Sequence, residues 1–149
     1  MYKGLLDLHS ALRWIAIILM IATIVDSLVR MYRPFKDNER KLALFTLISL
    51  HTQLIIGLLL YFVSPVIAAA FEAGHIMKNP VGRFYLVEHL LGMLLAITLV
   101  TIGYSKAKKQ SEHWSKHKII FFYYLFAFII ILISIPWPFR LVGEGRGWF

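Results

Sequence analysis

Four histidines fall on, or at the edge of, four different long apolar stretches of the chain: His9, His51, His89 and His117. An ionisable side chain inside such a stretch is costly in a membrane and usually has a function. The sequence has no cysteine, which excludes thiolate metal sites, iron–sulfur clusters and covalently attached c-type haem. The histidines therefore predict a metal or haem site whose ligands are imidazole nitrogens.

Apolar runs long enough to cross a bilayer must position these histidines. About 20 apolar residues suffice for one crossing, and 59% of the 149 residues are hydrophobic. We expect an all-α membrane protein with one domain, residues 1–149, folded as a four-transmembrane-helix up-and-down bundle. The predicted spans are residues 8–30, 42–63, 84–104 and 118–136.

The charge pattern predicts how the bundle is oriented. The formal net charge is +8, and most lysines and arginines lie in the links between spans 1 and 2 and between spans 3 and 4. The positive-inside rule then predicts both termini on the periplasmic side of a bacterial inner membrane, with the chain as a multi-pass protein. We expect the basic residues to contact lipid head groups and not nucleic acid. The aromatic belt at membrane edges explains Trp14, Trp114, Trp137 and Trp148.

Depth along the spans predicts which histidines meet. Spans 1 and 3 run in one direction, so His9 and His89 both belong to the outer half of the membrane. Spans 2 and 4 run the other way, and His51 and His117 belong to the inner half. In a helical bundle, side chains on facing helices build a cofactor site, so each pair can supply the two axial ligands of a b-type haem.

Residues beside the histidines suit the same cofactor. Gly92 follows His89 by about one turn and would let a porphyrin edge approach the helix. Arg13 shares a helical face with His9 and could pair with a haem propionate. Glu88 could pair with Arg13 or accept a proton from a quinol.

The spacing of the four histidines resembles the four-helix di-haem core of the cytochrome b-561 family. The opening segment LHSALRW, residues 8–14, is also similar to that of small bacterial membrane proteins labelled cytochrome B. The resemblance implies that alternate helices supply the ligands of each haem and that electrons cross the membrane between two haems. The interval from His89 to His117 is shorter than in that pattern, so a single haem between His51 and His89 stays open.

The function predicted is that of a haem-b-binding electron-transfer protein with one or two haems, with quinol as a candidate reductant; whether it is itself an enzyme is open. A haem-free accessory or anchor subunit of a respiratory or other membrane complex is one alternative, in which polar residues bond to partner helices or to further copies of the chain. A quinone-binding protein is another, with His9, Ser10 and Arg13 near one membrane edge. In the plainest alternative, the histidines are hydrogen-bonded packing residues.

Overall fold

The computed structural model describes residues 1–143. Trp148, assigned above to the aromatic belt, lies outside the described residues. The four long helices are α1 (Tyr2–Val29), α2 (Asp37–Val63), α5 (His89–Lys109) and α6 (His113–Ser134). The short helices α3 (Pro65–Glu72) and α4 (Pro80–Arg83) lie between α2 and α5. The described residues contain no strand.

The third apolar segment is continuous from Pro80 to Lys109. It consists of α4, a π-helical turn at Phe84–Glu88, and α5. With α1, α2 and α6 it gives four helices long and apolar enough to cross a membrane. The prediction of an all-helical chain with four such helices is confirmed. Each of the four segments begins a few residues before its predicted span, whereas α1 and α6 end slightly before the predicted ends.

Prolines and a side-chain cap set several helix ends. Pro65 follows the end of α2 and opens α3, as expected of a residue that fits the first helical turn but not a helix interior. At the start of α2, the Lys36 backbone N–H donates to Glu39 Oε2 at 2.7 Å. Helix α6 ends just before Pro136-Trp137-Pro138. Its last carbonyl oxygens therefore accept hydrogen bonds from donors other than the next turn of the helix.

The long helices surround a common core in the order α1, α2, α5, α6. Helices α1 and α5 therefore lie diagonally across the bundle, as do α2 and α6. We call the end with the α1–α2 and α5–α6 links the basic end, and the opposite end, where α1 begins and α6 finishes, the termini end.

Small and polar residues share the interior with larger side chains such as Met20 and Tyr124, while many other large apolar side chains face outward. Thr23 and Thr46 share a buried hydrogen bond of 2.7 Å between α1 and α2, and Tyr124 Oη donates to Ala43 O at 2.9 Å across the diagonal. Ile18 and Phe62 are 63% and 82% exposed. Exposed apolar side chains and hydrogen bonds between helices are expected where lipid covers the outer faces and the helices associate through close packing and polar contacts.

Candidate functional site

A cavity of about 330 Å³ occupies the core at the termini end, and His9 and His89 both line it. His9 is on α1 and His89 begins α5, so the two rings approach from diagonal helices. Their ring centroids are 6.4 Å apart and their planes are inclined by 74°. Ligand pockets in proteins typically measure 300–1,000 Å³, so this cavity is large enough for a small cofactor or part of a larger one.

The π-helical turn directly precedes His89. A π-helix adds a residue to a helical turn and often occurs at functional sites. The ring of Phe84, at the start of this turn, lies 5.9 Å from that of His89. Glu88 Oε1, at its end, accepts from Arg83 Nε at 2.6 Å, and both side chains are exposed. Glu88 is thus paired with Arg83 and not with Arg13, while the next residue, His89, is presented to the cavity.

The end of α6 fixes the His89 ring. In a continued helix, Ser134 O would accept from the N–H of residue 138, but Pro138 has none. His89 Nδ1 lies 2.7 Å from that carbonyl oxygen. A carbonyl only accepts, so Nδ1 carries a proton, and in the neutral ring Nε2 then carries the lone pair. Histidines that ligate a metal through one ring nitrogen usually donate the other ring N–H to a carbonyl or carboxylate oxygen in this way.

Helix α2 supplies the surroundings of His9. Gln53 Nε2 donates to His9 O at 2.7 Å. A Cβ on Gly57 would lie 3.2 Å from His9 Cε1, so the absence of a side chain there makes room for the ring. His9 Nδ1 and Gln53 Oε1 are buried and make no hydrogen bond. Two polar atoms in this state beside a cavity indicate that it takes a polar ligand or water.

Sequence reasoning did not single out Gln53 or Gly57 as part of this site. Both line the cavity and stand four residues apart on one face of α2. This four-residue spacing is the one feature of the sequence that indicates that the two residues share a face. Nothing in the sequence of α2 indicates, however, that this face turns toward His9.

Arg13 lies one turn beyond His9 and also lines the cavity. Its guanidinium carbon is 5.5 Å from the ring centroid of Trp14 and 5.9 Å from that of Trp137. These contacts hold a cation between two aromatic side chains at the membrane edge. The arrangement places a positive charge beside an otherwise mainly apolar chamber.

The structure does not bring His51 and His117 together. His117 is fully buried at the basic end, where its ring centroid lies 4.9 Å from that of Phe35, just before α2. His51 is 14 residues into α2, which is about 21 Å further along the helix axis. Two ligands of one metal ion have nitrogens only about 4 Å apart. A haem shared by these two histidines does not fit this arrangement.

His51 is also absent from the lining of the cavity that contains His89. Its Nδ1 lies 2.9 Å from Leu47 O on its own helix. His51 therefore makes a hydrogen bond within its own helix. In the part of the chain that is described, His51 and His89 do not line a common cavity, which is what the alternative of one haem between them requires.

Gly92 lies on the packed contact between α5 and α6 and not on the cavity. A Cβ at this position would collide with Ser134 Oγ, so the missing side chain serves the approach of the two helices. The space expected for a porphyrin edge at Gly92 is thus filled by protein. Within the part of the chain that the structure describes, no three histidine or acidic side chains group together as metal ligands.

Compared with models of protein families, with curated proteins and with solved structures, the chain gives no match.

Proposed function

We propose that this chain is an integral membrane protein that binds one b-type haem between His9 and His89 and takes part in electron transfer. The observation that carries the proposal is that two imidazoles from diagonal helices line one cavity with ring centroids 6.4 Å apart. By the positive-inside rule, the basic end would face the cytoplasm of a bacterial inner membrane and the haem would lie in the outer half.

The separation of the two rings suits two ligands of one ion. Two metal–nitrogen bonds of about 2.0–2.1 Å, with roughly 1.1 Å from each nitrogen to its ring centre, give ring centroids about 6.3 Å apart. The observed distance is 6.4 Å. The distance between the two ring centroids therefore matches that of two imidazoles that ligate one iron.

The surrounding residues perform the tasks that such a group requires. Ser134 O orients the His89 ring through Nδ1, and a hydrogen bond of this kind raises the basicity of the ligating nitrogen. Gly57 gives the His9 ring its space. Arg13 can neutralise a propionate. Met20 and Ile97 are buried and line the cavity, where they exclude water. Haem, when bound, supplies a centre that gains and loses one electron.

A haem in one half of the bilayer does not span it. We therefore propose that electron donor and acceptor both approach the termini end, as a quinol in the bilayer or as a partner subunit of a membrane complex. In this arrangement the chain works as a relay and not as a two-haem path across the membrane.

The test is the haem-to-protein ratio of the purified chain and of four single variants. We expect one b-type haem per chain, with a Soret band that shifts on reduction by dithionite. His9→Ala and His89→Ala should each remove at least half of the haem. His51→Ala and His117→Ala are the matched controls and should keep it. A folded, colourless protein that haem does not reconstitute would overturn the proposal, as would equal haem content in all four variants.

A second candidate is a quinone or quinol bound in the same cavity without haem. Gln53 Oε1 favours it, because this buried acceptor lacks a donor and a quinol hydroxyl would provide one. Ser10 and Tyr61 also line the cavity. A colourless preparation from which organic solvent extracts about one quinone per chain would support this candidate, and Gln53→Leu should then abolish the copurification.

A further inference from the structure

A second, smaller cleft lies at the basic end, between the start of α2, the end of α5 and the start of α6. Its volume is about 130 Å³. Four cationic side chains line it: Lys36, Arg40, Lys108 and Lys116. They come from three separate parts of the chain, and only the fold brings them to one place.

The charge of this cleft is poorly balanced by protein. Its one carboxylate belongs to Asp37, which pairs with Arg40 at 3.2 Å. Among the residues described, Lys36, Lys108 and Lys116 take part in none of the ion pairs. Three further positive charges around one cleft repel each other, and an anion bound between them would remove that repulsion.

The scaffold around the cleft is held in place by Phe35. Its backbone N–H donates to His113 Nδ1 at 3.1 Å, which ties the α1–α2 link to the start of α6. Its ring packs against His117, and Lys116 Nζ lies 5.7 Å from the same ring centroid. The cationic side chains therefore lie on elements that contact each other, and not on independent loops.

The cleft also has an apolar side. Tyr104, Ala107 and Ile120 line it on the flank toward the middle of the bundle. Ala107 and Ile120 are buried in the bundle, so the cations form the outer side of the cleft, where a lipid head group at the membrane surface would meet them. A free phosphate ion would use the cations alone.

We propose that this cleft binds a phosphate group, carried by an anionic phospholipid or free in solution. The site is separate from the His9–His89 cavity and does not depend on the function proposed there. A phosphate fits because its several oxygens can accept from three ammonium groups and a guanidinium at once.

The test uses the full-length chain, stripped of lipid in a neutral detergent, with binding followed by native mass spectrometry. The probes are a phosphatidylglycerol and inorganic phosphate, each titrated separately. The test variant is Lys108→Gln/Lys116→Gln. The matched control is Lys109→Gln/Lys118→Gln, which removes the same charge from the same link at positions that do not line the cleft.

We expect phosphatidylglycerol to bind the unmodified chain and the control variant alike. In the test variant, binding should weaken about twenty-five-fold, because each lysine near an anionic surface contributes about a factor of five. Binding of inorganic phosphate with the same dependence on the variant would support the site and identify the free ion as a ligand. Equal weakening in both variants, or no binding of either probe to the unmodified chain, would overturn the proposal.

Discussion

Gly57 and Gly92 use the absence of a side chain for different purposes. Both stand on spanning helices beside a residue of another helix. Gly57 faces the His9 ring in the cavity, whereas Gly92 faces Ser134 in the closest part of the α5–α6 contact. A glycine one turn from a histidine therefore does not by itself indicate cofactor space. What decides its role is which neighbouring helix it faces.

Gly57→Leu should weaken haem binding because its side chain would enter the space of the His9 ring. Overpacking costs about 1–3 kcal/mol, which is roughly a five-fold to more than hundred-fold loss in a binding constant. The measurement is haem retention during dilution, followed by the Soret absorbance. Gly4→Leu is the control, since nothing lies within 4 Å of a Cβ there. Haem retention equal to that of the control would contradict the role given to Gly57.

At the scale of elements, the end of α6 matters as much as any side chain. The segment Pro136-Trp137-Pro138 frees several carbonyls of the last helical turn. Ser134 O meets His89 Nδ1 at 2.7 Å, and Leu132 O accepts from Trp137 Nε1 at 2.9 Å. The helix end therefore holds a histidine of another span through an acceptor that a longer helix would use internally.

Pro136→Ala/Pro138→Ala should lengthen α6 and divert Ser134 O from His89 to a backbone N–H. Loss of such a partner typically lowers the affinity of a metal site ten- to a hundred-fold. We expect haem to dissociate faster by about that factor, while the helical content measured by circular dichroism stays equal or rises. If haem dissociation is unchanged although the helix has lengthened, the Ser134 contact does not support His89.

A second element-scale prediction concerns the α1–α2 contact. Thr46 Oγ1 and Thr52 Oγ1 both bond to the carbonyl four residues earlier on α2. Only Thr46 also contacts α1, where Thr23 Oγ1 lies 2.7 Å and Leu19 O 3.1 Å away. Thr46→Val should therefore lower the free energy of unfolding by about 0.6 kcal/mol, the average for a hydrogen bond between membrane helices.

Unfolding in mixed micelles of neutral and denaturing detergent would measure this difference. Thr52→Val is the control, because it loses only the bond within α2. An equal effect of both substitutions would show that the hydrogen bonds of Thr46 to α1 add nothing to stability.

The sequence predicts the elements of this bundle better than the contacts between them. The length and apolarity of the segments were enough to predict the four helices. Depth along the spans was enough to predict that His9 and His89 lie at the same end of the bundle. The rotation of each helix about its axis was not predictable. For that reason Gln53, Gly57 and the Ser134 carbonyl were missed and Gly92 was assigned to the wrong neighbour. The π-helical turn before His89 was also not predictable, because no local sequence pattern indicates it.

At the scale of the whole molecule, the two ends of the bundle differ in chemistry. The termini end holds the cavity with its two histidines, and most of its lining is apolar. The basic end holds the lysine-lined cleft and the paired network in which Arg30 bonds to Asp26 at 2.7 Å and to Glu39 at 3.1 Å. Under the two proposals, the protein would exchange electrons at one membrane surface and bind a phosphate group at the other.

The positive-inside rule makes this asymmetry testable in cells. Because the chain has no cysteine, single cysteines can report topology without background labelling. Glu72→Cys lies exposed at the end of α3, on the termini side, and Ser111→Cys lies exposed in the α5–α6 link, at the basic end. A membrane-impermeant maleimide added to intact spheroplasts should label the first and spare the second. After permeabilisation it should label both, which serves as the control for reactivity. Labelling of Ser111→Cys alone in intact spheroplasts would invert the topology and place the His9–His89 cavity in the cytoplasmic half of the membrane, where its electron donor would have to be sought.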